Sequence, residues 1–198
     1  MEFYHRRSER PRALGILAGS FNPPTLAHLE LAQAAGERVD EILCVVPREF
    51  PHKEYFGATL EQRLEMLAAA GFGVPHSIAT TERGLFVEIA QECRRHYDAG
   101  TRLYFVCGRD AAERILNWDY GRAGVVEDML REFELLVAPR GGAFEPPEAF
   151  RNRIHSLAAV GAHEAVSSTD VRERIARGEP WEHLVPEGIV DRVREIYS

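Results

Sequence analysis

Between Gly19 and His28 the chain reads GSFNPPTLAH, a glycine turn, two prolines and then a helix start carrying a hydroxyl and an imidazole one turn apart. Pro23 and Pro24 cannot lie within a helix but can precede one, and Thr25 suits the N-cap. The unpaired N–H groups of such a start sit at the positive end of the helix dipole and favour an anion. His28, one turn in, points toward the same anion. A strand, a glycine turn and a helix also occur throughout α/β proteins, so these residues alone leave a phosphate site and plain capping both open. The stretch matches neither G-x-G-x-x-G nor G-x-x-x-x-G-K-[ST], which removes the usual support for a dinucleotide-dependent oxidoreductase or a P-loop enzyme. A second hydroxyl-rich helix start, Ser167-Ser168-Thr169-Asp170-Val171-Arg172, repeats the chemistry. One Ser or Thr is enough for a cap; here three precede an arginine on the first turn. Three further groups are ambiguous by themselves: Lys53 reads as a surface lysine, Asp110 in Gly108-Arg109-Asp110 as an N-cap, and Trp118 as a core or surface aromatic.

These groups need elements to position them. Leu14, Ile16 and Leu17, followed by a glycine, suit a buried parallel strand. Further strand-like runs occur at Glu41 to Val46, Leu103 to Cys107 and Phe133 to Ala138, with a weaker one near Ser156 to Val160. Leu26, Leu29 and Leu31 with four alanines predict a helix after the prolines whose small-residue face packs on a sheet. Thr59 to Ala70, with Thr59 and Gln62 as a capping box, Phe86 to His96, Ser168 to Arg177 and Glu187 to Tyr197 predict four more. Strands alternating with helices predict an α/β fold, a doubly wound, mostly parallel sheet with helices on both faces. Such sheets bind ligands beyond the carboxyl ends of their strands. The Gly19 turn, the segment Pro47 to Lys53 and Gly108 to Asp110 each follow a predicted strand, so they can converge there. Pro139 to Pro147 (PRGGAFEPP) reads as a loop.

A chain of 198 residues with 45% hydrophobic and 28% charged residues is expected to form one domain, with residues 1–12 as a flexible N-terminal extension and 168–198 as a C-terminal helical part. Its formal charge of −7 argues against nucleic acid as a partner. No apolar stretch approaches a membrane span and the start lacks a signal-peptide core, so no membrane partner and a cytoplasmic location are expected. Cys44, Cys93 and Cys107 are odd in number and widely spaced, as core thiols in a reducing compartment would be. Neither a Ser-His-Asp nor a Cys-His arrangement is suggested.

The same residues resemble a family. GSFNPPTLAH is similar to the G-x-F-x-P-x-[HT]-x-x-H signature of the nucleotidyltransferase superfamily, with Thr25 in the first histidine position. Val166 to Arg172 resembles its I-S-S-T-x-x-R signature, with Val166 in place of Ile. Pro47 to Lys53 is similar to P-x-x-x-P-x-K, and Gly108-Arg109-Asp110 followed by Trp118 to a G-x-D…W element. Together they identify the chain as resembling the nicotinate/nicotinamide mononucleotide adenylyltransferases, which have a Rossmann-like fold. The resemblance implies adenylyl transfer from ATP to a mononucleotide phosphate, with His28 and Thr25 holding the phosphates and Lys53 and Arg172 neutralising pyrophosphate. It further implies ATP contacts from Gly19, Ser20, Phe21, His28, Gly108, Asp110, Ser167, Ser168, Thr169 and Arg172. Mononucleotide contacts fall to Ser20, Phe21, Lys53, Trp118 and Arg140, with Arg109 or Arg140 as a counter-charge for a carboxylate. Mg²⁺ is implied as an ion carried by the substrate, and a homo-oligomer is compatible. The pattern breaks at Glu82 to Glu88, where the family's G-x-S-Y-T-x-D-T is replaced by GLFVE. That break leaves a cytidylyltransferase or pantetheine-phosphate adenylyltransferase as the alternative reading, and a nucleotide-binding regulatory protein without turnover as another.

Overall fold

The computed structural model describes residues 1–8, 10–49, 57–139, 144–158 and 161–197. Seven strands form one sheet in the order β1-β4-β3-β2-β5-β6-β7: β1 Glu2–His5, β2 Ala13–Ala18, β3 Glu41–Pro47, β4 His76–Thr81, β5 Arg102–Gly108, β6 Glu134–Ala138 and β7 Ile154–Ser156. All neighbouring pairs are parallel except β1 with β4. The central strands are apolar on both faces because both are covered, and their side chains alternate between two cores. Leu17, Ile42, Cys44 and Val106 face one core; Leu14, Ile16, Leu43 and Phe105 face the other.

On the first face lie α1 (Leu26–Gly36), α2 (Leu60–Ala69), α6 (Ser168–Arg177) and α7 (Val190–Tyr197), through buried residues such as Ala32, Leu67, Val171 and Val193. The second face takes α3 (Phe86–His96), α4 (Arg109–Asn117) and α5 (Val125–Glu132), through Ile89, Ala112 and Leu130. The sheet is therefore doubly wound, as expected. The winding reverses between β2 and β5, since α1 leaves β2 toward one face and α4 leaves β5 toward the other.

The expected capping box of α2 is present: Gln62 N–H donates to Thr59 Oγ1 at 3.2 Å and Thr59 N–H to Gln62 Oε1 at 2.8 Å. Three differences from the sequence reading have physical causes. Residues 2–5, expected within a flexible extension, pair with β4, because Phe3 packs its ring edge-on against Tyr97 at 6.1 Å. Strand β4, HSIATT, carries no apolar alternation, yet its Ser77, Thr80 and Thr81 are buried among neighbours that satisfy them: Ser77 Oγ donates to Glu41 and Thr81 Oγ1 to the Arg83 carbonyl. The weak seventh strand lies at Ile154–Ser156, earlier than the expected run. Residues 159 and 160 of that run, and 140–143 of the Pro139 to Pro147 loop, lie outside the described residues. All three cysteines are buried and free, and burial lifts the thiols of Cys93 and Cys107 to about 12.

Candidate active site at the sheet reversal

The turn after β2 is fixed at its start by Gly19 N–H donating to the Val45 carbonyl of β3 at 3.0 Å. Phe21 follows with φ +46°, a left-handed conformation uncommon for a bulky residue and of the kind that collects at functional sites. Its buried ring meets the His28 ring at 5.0 Å. Thr25, fully buried, is the N-cap of α1, as expected. Its N–H donates to His28 Nδ1 at 3.0 Å, and its Oγ1 lies 2.7 Å from the same nitrogen. An Nδ1 that accepts leaves the proton of the neutral imidazole on Nε2. The arrangement thus turns His28 into a donor at the start of a helix, where an anion is already favoured.

The second hydroxyl-rich start folds back onto this turn. Ser167 caps α6, accepting from Asp170 N–H at 3.0 Å. Ser168 Oγ donates to the Pro23 carbonyl at 2.7 Å, and Arg172 Nη1 to the Asn22 carbonyl at 2.5 Å, with Nη2 3.3 Å from Thr169 Oγ1. Three hydroxyls in a row therefore have separate partners: one caps, one holds the turn and one steadies the arginine.

Two clefts flank this centre, one on each face of the sheet. The first, about 190 Å³, lies between α1 and the approach to α6, lined by Ala27, His28, Leu31, Gly108, Ser167 and Ser168. The second, about 730 Å³ and mostly apolar, is walled by Ala18, Leu85, Phe86, Ile115, Tyr120 and Met129. Ala18 and Gly108 sit at the carboxyl ends of adjacent strands, so the clefts meet across the β2–β5 reversal. Asp110 occupies the exposed first turn of α4, beside Gly108. Arg109 is engaged with Glu113 at 3.5 Å. Trp118 is 60% exposed at the end of α4, between Ile115 and Tyr120 in sequence but not in the wall of either cleft. Lys53 and Arg140 lie outside the described residues.

Sequence reasoning missed several supports. Arg63, only 3% exposed, donates from Nη1 to the Ser20 carbonyl at 3.1 Å and from Nε to the Thr59 carbonyl at 3.3 Å, tying α2 to the turn. Its signal was an arginine one turn before Leu67, on the apolar side of α2. Glu30 of α1 accepts from His163 N–H at 3.1 Å and lies 2.7 Å from His163 Nδ1. That pins residues 161–166, which supply Glu164 and Val166 to the smaller cleft. Gly161 permits the approach, since a Cβ there would lie 2.6 Å from Glu30 Oε1. No local pattern announces a contact between positions 133 apart.

A family model described as cytidylyltransferase-like matches residues 16–174. The chain is similar to a probable nicotinate-nucleotide adenylyltransferase of Moorella thermoacetica, 31% identical over 93% of this chain and 90% of the relative. A protein of the same description from Gloeobacter violaceus is 30% identical over 92% of this chain and 93% of its own length. Among solved structures, Plasmodium falciparum nicotinic acid mononucleotide adenylyltransferase complexed with NaAD matches with a TM-score of 0.65, covering 92% of this chain and 95% of that one. At 17% identity that likeness is one of fold.

Proposed function

The chain belongs to the cytidylyltransferase-like family, in the branch of the nicotinate-nucleotide adenylyltransferases, and from that membership we propose that it transfers the adenylyl group of ATP to a pyridine mononucleotide. The acceptor's phosphate oxygen attacks the α-phosphorus in line; the new P–O bond forms as the α–β bridging P–O bond breaks, and pyrophosphate leaves. The observation that carries this reading is the pair of clefts on opposite faces of the sheet, meeting across the β2–β5 reversal, with His28 in the wall of the smaller one. A reaction that joins two nucleotides needs two pockets open to one phosphate centre.

In this reading the smaller cleft takes the adenosine side of ATP, with Gly108, Ser167 and Ser168 at its wall. Gly19, Ser20 and Phe21 present backbone to the triphosphate, and Asp110 is placed for a ribose hydroxyl. His28 donates from Nε2 to a phosphate oxygen as charge builds, the contribution expected of a preorganised donor. Arg172, held by Asn22 and Thr169, meets the departing pyrophosphate without first having to be ordered. Lys53 adds a positive charge to the same group, and Arg140 a contact to the mononucleotide. ATP enters as its Mg²⁺ complex, the ion held by phosphate oxygens and water. Among the described residues no group of three or more His, Cys, Asp or Glu could hold a metal ion.

The larger cleft takes the acceptor base. Its apolar walls fit an aromatic ring, and the exposed indole of Trp118 is available to stack on one. Phe86, Val87 and Glu88 stand where the family pattern has Ser-Tyr-Thr hydroxyls after its glycine, so the identity of the acceptor is the point to measure. Among the described residues no helix is long and apolar enough to cross a membrane, and the three buried free thiols suit a cytoplasmic setting. The test is pyrophosphate release with ATP or CTP against nicotinate mononucleotide, nicotinamide mononucleotide and phosphopantetheine. Release with ATP and a pyridine mononucleotide is expected. Release only with CTP or only with phosphopantetheine overturns the assignment, as does nucleotide binding without release from any pair.

A further inference from the structure

The phosphate turn has one more support, from the far end of the fold. Tyr197, in the last turn of α7, donates its hydroxyl to Asn22 Oδ1, the same oxygen that accepts Ala58 N–H at 3.2 Å. Asn22 is 7% exposed. Water cannot readily replace a lost partner there. The Tyr197 ring lies against Gly57, where φ is +91° and a Cβ would come within 2.5 Å of Cε1, so only glycine admits the ring at this depth. Burial lifts the phenol to about 12, against the lowering pull of Ala58 N–H, Arg172 and Arg63. It therefore stays protonated, and a donor, through neutral and mildly alkaline pH. Asn22 is thus gripped at both ends, its carbonyl by Arg172 and its side chain by Tyr197.

We propose that Tyr197 is a positioning residue for nucleotide phosphates: its hydroxyl locks Asn22, and through Asn22 the left-handed Phe21 turn that faces the β- and γ-phosphates. This rests on the reading of the turn as a triphosphate site. It gives α7, which touches neither cleft, a part in the chemistry. The role differs from simple packing, because packing resides in the ring and positioning in one oxygen.

Tyr197→Phe removes that oxygen and keeps the ring, so the variant should fold and melt close to the parent. Calorimetry should give a Kd for ATP raised about fivefold, the scale of one buried hydrogen bond, with the Kd for AMP within twofold. Asn22→Ala should shift the same ratio, and the double variant should lose little more than either single one, as partners in one interaction do. An unchanged ATP-to-AMP ratio in Tyr197→Phe overturns the proposal, and so do equal losses for both ligands or additive losses in the double variant. A parent chain that binds ATP but releases no pyrophosphate with any acceptor overturns the proposed function alone, because the binding ratio still decides the role of Tyr197. A parent with no affinity for ATP overturns both.

Discussion

His28 is a donor because Thr25 makes it one. The backbone N–H of the cap holds Nδ1 and so dictates the tautomer. His28→Ala is therefore expected to lower kcat about 10²-fold, the scale of a lost transition-state contact, with little change in melting temperature; a steady-state assay at saturating substrates checks it. Trp118 carries the opposite expectation. Its ring is 60% exposed at the end of α4, so Trp118→Ala should raise KM for the mononucleotide several-fold and leave ATP affinity unchanged. The capped helix start carrying His28 was legible in the sequence. A cap, an imidazole one turn in and a run of hydroxyls before an arginine are local patterns, and local patterns survive without a fold. Arg63 and Tyr197 were not legible, since each acts on a turn that only tertiary packing brings near.

At the scale of elements, α1 and the strap before α6 form the two walls of the smaller cleft, and Glu30 is the tie between them. Glu30→Ala should loosen one wall, raising KM for ATP several-fold while KM for the acceptor stays constant; initial-rate kinetics with each substrate varied separates the two. Most elements could be read from period and caps: α3 and α6 fall on their expected bounds, and α2 begins at its capping box. Strand β4 could not, because its buried hydroxyls are matched by partners on β3 and in the following loop and not by any pattern of its own. Helix α4 was equally hidden, beginning directly on Gly108 with no turn residues to mark it. The edge strand β1 needed knowledge of where Tyr97 would lie.

For the whole molecule, the two ends of the sheet have different tasks. Opposite the clefts, Glu41 opens β3 with 2% exposure; one carboxylate oxygen accepts from Ser77 Oγ and the other has no partner among the described residues. Burial raises its pKa, against the lowering effects of Ser77, Arg6, Arg7 and His5. A carboxyl whose folded pKa is raised loses stability as pH climbs from the ordinary carboxylate range through the folded value. Glu41→Gln should therefore raise the melting temperature at neutral pH, and the gain should vanish in acid below that range; thermal scans across pH measure it. The overall architecture was readable from alternating strands and helices, and so was the end of the sheet at which the two clefts lie. The meeting of two clefts was not, because it depends on the reversal between β2 and β5. One consequence concerns synthesis. The turn at Asn22 and Pro23 is emitted early, yet Ser168, Arg172 and Tyr197 follow 145, 150 and 175 positions later. A nascent chain still on the ribosome thus carries the turn without the three contacts that hold it, and the turn is fixed only once the final helices have emerged.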